Sequence, residues 1–273
     1  MSACANGLPL GAATFGTAVL TCAILCTLSG FWSVPLPFAG MLGQQVFDSR
    51  GVHRLIAGKR SSAQGTQTVI ATRFVGGTDG EGFPREENWE NASWIQFDHD
   101  WQSKNADPQR ETRVWLLWSF DALYVRFLVR FRSVTVFTDA EPNGRRNHLW
   151  DRDVAEVFLQ PAGSDQRHYK EFEVSPNGLW IDLDIAPGEK HDLKSGLKRR
   201  VRLDEEKKMW TAEMILPMTS LTARFDPAKA WRANFFRIEG ASEPRFYSAW
   251  RPTGTPVPNF HVPEAFGVLT FEK

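Results

Sequence analysis

Carboxylates and flat aromatic rings alternate through residues 149–185, LWDRDVAEVFLQPAGSDQRHYKEFEVSPNGLWIDLDI. In extended chain every second side chain shares a face. Leu179, Ile181, Leu183 and Ile185 therefore lie on one side, with Trp180, Asp182 and Asp184 on the other. Phe172 and Val174 oppose Glu171 and Glu173 in the same way, and Glu156 sits between Val154 and Phe158 on an apolar face. A carboxylate there is costly unless something pairs with it. Two readings stand: Glu156 bonds a ligand, or it forms a buried ion pair with Arg152 or Arg126. Glu171, Asp182 and Asp184 read as solvated strand faces.

Rings beside hydrogen-bonding acids suit a polyhydroxylated ligand such as a sugar. Its axial C–H face stacks on indole, contributing on the order of 1–2 kcal/mol. Glu156, Glu173 and Asn177 would then bond hydroxyls, each bond strengthened by charge. Eleven tryptophans are present. Trp115, Trp118, Trp210 and Trp231 fall in apolar strands and read as core. Trp150 and Trp250 end such segments at strand–loop junctions, where a ring can face a cleft.

The same acids motivate a rival chemistry. Glycoside hydrolysis needs two carboxyls about 5–5.5 Å apart for retention or about 6.5–9.5 Å for inversion. Glu171/Glu173 and Asp182/Asp184 are paired at i and i+2, whereas one-strand glucanase sites use i and i+4. A third alternative is haem, held between Met209, Met214 or Met218 and His168 or His261. No phosphate-binding glycine loop, zinc motif or nucleophile elbow occurs.

The elements that must position these groups are short strands between turn signals. They are expected at Arg113–Trp118, Leu123–Phe131, three within 149–185, Arg200–Leu203, Met209–Leu216, Trp231–Ile238, Arg245–Trp250 and Gly267–Phe271. Thr68–Phe74 is a candidate incoming strand, and Pro217–Leu221 a single helical turn. About ten strands without a long amphipathic helix predict an all-β fold, an antiparallel sandwich or jelly roll. KRRVR at 198–202 reads as a charged strand edge that discourages further pairing.

Charge is balanced at 32 basic and 32 acidic residues in 273, which gives no footprint for nucleic acid or anionic lipid. None of these charges precedes Asp48, and all three cysteines (Cys4, Cys22, Cys26) lie in that uncharged segment. Residues 8–32 form an apolar run long enough to span a bilayer. Residues 1–40 are therefore expected to be a signal peptide or membrane anchor of an exported protein, residues 41–82 a linker, and 83–273 the sandwich. Any membrane contact would come through that first segment.

In order, LYVRF, LWDRDVAEVFLQP, YKEFEVSPNGLWIDLDI, WTAEMILPM, WRANFFRIEG, FYSAWRPT and NFHVPEAFGVLTF resemble the family 9-like carbohydrate-binding modules across about Trp94–Glu272. That resemblance implies a β-sandwich, attached to xylanases or free-standing in bacterial export, that binds xylan or cellulose ends. It implies two tryptophans around the terminal sugar. Trp150, six residues before Glu156 in the family's D-x-x-E-[VI]-F pattern, is one, and Trp250 is the nearest match for the other. The family's binding arginine has no counterpart in YKEFEVS, and Arg152 is the substitute. The resemblance further implies a polysaccharide or oligosaccharide partner, a glycoside hydrolase as companion, and a structural Ca2+ on Asp-rich turns (Asp98, Asp100, Asp139, Asp151, Asp153).

Overall fold

The computed structural model describes residues 67–273 apart from Pro142 and Gln166. The expected signal or anchor segment and the linker up to residue 66 lie outside the described residues.

One half of the fold holds β2 (Trp94–Phe97), β3 (Thr112–Trp118), β4 (Ala122–Arg130), β9 (Lys198–Asp204) and β10 (Met209–Pro217). The other holds β5 (Val154–Gln160), β6 (Tyr169–Val174), β7 (Trp180–Ala186), β8 (Glu189–Asp192), β11 (Trp231–Glu239), β12 (Phe246–Ala249) and β13 (Gly267–Phe271). β1 (Thr68–Arg73) joins them: Thr68–Ala71 run parallel to β13, and Thr72–Arg73 run parallel to β3. The strand order is β8-β7-β6-β5-β11-β13-β1-β3-β4-β10-β9, with β2 on β3 and β12 on β11. The sheet curls on itself as a sandwich. Its inner faces meet in a core that includes Val69, Val125, Phe127, Val157, Phe172, Phe235 and Leu269.

The structure is all-β as expected, with thirteen strands and two short helices, α1 (Glu86–Glu90) and α2 (Met218–Leu221), among the described residues. α2 is the helical turn expected at Pro217–Leu221. β2 is only four residues long, and β8 reads EKHD, fully exposed at a sheet edge. β2 alternates, with Ile95 and Phe97 buried, but is too short to stand out, and β8 buries nothing. β1 enters the sheet ahead of residue 83.

Every residue of β5 is buried, because this half of the sandwich has apolar packing on both faces. On the outer face Phe158, Ile181, Phe236 and Ile238 form a second cluster with Phe260 and Phe266. Phe260 stacks on Phe236 at 4.2 Å between centroids. The chain after Trp250, ending in the 3-10 turn Pro263–Ala265, thus folds back over the outer face of β5 and β11. A cavity remains beside it.

Candidate functional site

The cavity, of about 260 Å3, is floored by β5 and β6 and bordered by Trp150, Arg245, Tyr247, Phe260 and His261. Antiparallel register sets Glu156 opposite Glu173 and Phe158 opposite Glu171. All three glutamates line the cavity, and only 2 % of Glu156, 2 % of Glu171 and 1 % of Glu173 is exposed. Glu156 Oε1, Glu171 Oε2 and both carboxylate oxygens of Glu173 have no hydrogen-bond partner in the protein.

Such groups are expensive to leave unpaired in a folded interior. Burial, reinforced by the charge of Glu171, pushes the Glu156 carboxyl well above its usual range. Burial does the same to Glu173, helped by Glu156 and then Glu171. Lys190 opposes both shifts, and Arg245 also opposes that of Glu156. A set of carboxyl groups with idle oxygens, inside an open aromatic-lined cavity, is arranged to receive hydrogen-bond donors from a ligand.

Trp150 reaches the cavity from a 3-10 turn, Leu149–Asp151, that follows His148 in the left-handed region at φ 56°. Arg245 Nη1 donates to the Trp150 carbonyl at 2.7 Å, tying that turn to β12. The Lys190 ammonium from β8 lies 3.8 Å from the centre of the Trp150 ring. Across the floor, the Tyr169 hydroxyl is 2.6 Å from His261 Nδ1, which is itself 3.8 Å from Glu171 Oε2. Burial holds the His261 imidazole below its usual pKa, against the pull of Glu171.

The structure brings together Trp150, Glu156 and Glu173 of the expected site. It adds Glu171, which is buried in the cavity and not on a solvated face; its parity with Glu173 two residues on was the available signal. Tyr247, Phe260 and Arg245 were not singled out from sequence, and His261 entered only as a haem ligand. Of the remaining two solvated-face assignments, Asp182 is fully buried and accepts the Ser195 backbone N–H at 2.7 Å. Asp184 bonds Lys170 at 3.0 Å and His168 at 2.8 Å.

Three expected site residues lie elsewhere. Trp250 is 6 % exposed and packs in the inner core, its ring 5.7 Å from Phe235. The reason is parity: Tyr247 and Ala249 face the cavity side, so Trp250 turns inward. The segment after Trp250 does supply a wall, but through Phe260 and His261. Arg152 lays its guanidinium 4.7 Å from the Phe137 ring and donates to the Asp151 carbonyl. Asn177 Nδ2 donates to the Phe137 carbonyl at 2.8 Å.

Neither arginine expected to pair with Glu156 does so in the contacts described. Arg126 holds Glu86 at 2.8 Å and Glu213 at 2.6 Å, and Arg152 is occupied as above. Two of the aspartates considered for Ca2+ are engaged within the protein. Asp100 accepts from the Gln102 and Lys104 backbone and from Asn105, and Asp153 accepts from Thr135 and Gly240. Among the described residues no cluster of three His, Cys, Asp or Glu side chains fits a metal ion. Of the haem candidates, Met214 and Met218 pack in the inner core, while His168 and His261 have the partners named above.

The sequence profile of carbohydrate-binding family 9 matches residues 84–271. An Arthroderma benhamiae protein named "Extracellular protein" is 24 % identical over 195 residues, 65 % of this chain and 85 % of that protein. Among solved structures, a candidate carbohydrate-binding protein of Bacteroides uniformis aligns with TM-score 0.62 at 19 % identity, over 75 % of this chain and 99 % of that one. A family 9 carbohydrate-binding module of Caldicellulosiruptor kristjanssonii, solved with cellotriose, aligns with TM-score 0.51 at 16 % identity, over 75 % of this chain and 93 % of that one.

Proposed function

Because the chain belongs to carbohydrate-binding family 9, we propose that its outer-face cavity holds the terminal sugar of a plant-type polysaccharide or oligosaccharide without cleaving it, in the service of carbohydrate catabolism. The observation that carries this reading is the combination of Trp150 with three buried glutamates, four of whose oxygens have no hydrogen-bond partner in the protein. An indole face takes the C–H side of a pyranose ring, and the carboxyl groups take its hydroxyls. At about 260 Å3 the cavity falls below the ~300–1,000 Å3 usual for drug-sized ligands. That size suits a single ring at a chain end.

Two further points support the reading. The family module of Caldicellulosiruptor kristjanssonii was solved with cellotriose and also with glucose. The apolar, uncharged run at residues 8–32 suits an exported protein, as does the name of the Arthroderma relative. A glycoside hydrolase that opens the same polysaccharide is the partner this role calls for.

The test is calorimetric titration of the purified chain with cellotriose, alongside an assay for reducing ends. Binding without release of reducing sugar is expected. Release that disappears in Glu156→Gln would assign the carboxyl groups to hydrolysis instead.

A further inference from the structure

We propose that the sugar received in this cavity is an amino sugar, whose protonated amine is held by Glu156, Glu171 and Glu173. This deepens the sugar-binding reading and rests on it.

The number and state of the acids favour a cationic ligand. A neutral pyranose needs one or two acceptors at a given point on its ring. Here three carboxyl groups from two adjacent strands line one cavity, and four of their oxygens are buried without a hydrogen-bond partner in the protein. Hydroxyl groups could donate to these oxygens, but they would leave the repulsion between neighbouring carboxylates unrelieved. An ammonium group does both: it presents three N–H donors and cancels charge where charge is most costly.

The surrounding cations perform that task only in part: Lys190 and Arg245 oppose the upward shifts, but their described contacts lie elsewhere. Arg245 is turned to the Trp150 carbonyl and to Glu243. His261 is held toward its neutral form by burial. Lys190 is exposed, and its ammonium rests over the Trp150 ring rather than among the glutamates. That contact shows that the aromatic side of the cavity already accommodates a primary ammonium by cation–π attraction. An amine on a ring stacked at Trp150 would complete the same arrangement from the ligand. The raised carboxyl groups of Glu156 and Glu173 fit this picture, since a bound ammonium would hold them ionised.

The experiment titrates the full chain at neutral pH with glucosamine trisaccharide, its N-acetylated counterpart and cellotriose. The three share a β-linked pyranose backbone and differ at the substituent. The glucosamine trisaccharide should bind at least about tenfold more tightly than the other two, as a charge-assisted contact predicts. In Glu173→Gln the ratio of amino to neutral affinity should collapse toward one, whatever happens to either affinity alone. The N-acetylated comparison needs no variant and stands even if that variant folds poorly. Cellotriose binding as tightly as the amino trisaccharide would overturn this inference and leave the sugar-binding reading intact. Failure of all three to bind would overturn both. Calcium chloride that binds the chain and displaces the amino trisaccharide would also overturn it, by assigning the carboxylates to a metal.

Discussion

Glu156 and Glu173 stand directly opposite one another across the β5–β6 ladder, both buried, with neither oxygen of Glu173 hydrogen-bonded to the protein. Like charges in that position destabilise a sheet. A sequence under selection for stability alone would replace one of them.

The pH dependence follows from their titration. Burial raises both carboxyl groups above the ordinary value of 4.5, with Glu171 adding to the shift of Glu156, and Glu156 and Glu171 to that of Glu173. Between 4.5 and the raised native values, the folded chain therefore binds more protons than the unfolded chain, and stability falls as pH rises through that window. Glu173→Gln keeps the shape and removes one ionisation. It should raise stability at neutral pH by about 1 kcal/mol or more, or roughly 2–4 °C in Tm per kcal/mol for a domain of this size. Thermal melts from pH 4 to 8 check it: the variant's stability should fall less steeply with pH than the parent's.

Trp150 and Trp250 should part company on truncation. Trp250→Ala empties a site in the inner core and should cost about 3–5 kcal/mol, read as a lower denaturation midpoint. Trp150 is only partly buried and its ring borders the cavity. Trp150→Ala should therefore leave the denaturation midpoint nearly unchanged while weakening cellotriose binding by about tenfold or more. A Trp250→Ala protein that melts normally but no longer binds sugar would contradict the inner placement of that ring.

Period-two patterning between turn signals was enough to find β3–β7 and β9–β13, and hence the sandwich. It could not find β8, whose four residues are all exposed. It also misjudged Glu171. A strand buried on one face puts its polar residues in solvent, and that assumption failed where the segment after Trp250 covers the other face. Such a cover joins residues about ninety positions apart, as His261 and Tyr169 show, and local pattern carries no trace of it. Glu156 was legible for the opposite reason, since it breaks an apolar run. Trp250 was misplaced because a strand–loop junction fixes where a ring sits along the chain but not which face it takes.

Gly267 tests the placement of Trp250 from the other side. A Cβ at this position would sit 2.5 Å from Trp250 Cη2 and 2.8 Å from the Gln67 carbonyl oxygen. The indole is locked in the core and the carbonyl belongs to the β1–β13 junction, where Val268 N–H donates to it. Neither can yield cheaply. Gly267→Ala should destabilise by about 1–3 kcal/mol through overpacking, and combining it with Trp250→Ala should cost less than the sum of the two, because the smaller side chain vacates the clash. Urea denaturation of the two single variants and the double variant measures that coupling.

On the opposite half of the sandwich, Arg126 is 4 % exposed and bridges Glu86 of α1 to Glu213 of β10, over the Trp89 ring at 4.6 Å. Removing one partner of a buried pair strands the other's charge, typically at a cost of about 3–5 kcal/mol. Arg126→Met should approach that range, since Glu213 keeps only Arg200. Arg126→Met combined with Glu213→Met removes both buried charges and leaves Glu86 and Arg200, each of which reaches solvent. The double variant should therefore recover much of the single variant's loss. Equal losses in single and double variants would mean that the network acts through packing of α1 and not through charge, and chemical denaturation of the pair distinguishes the two.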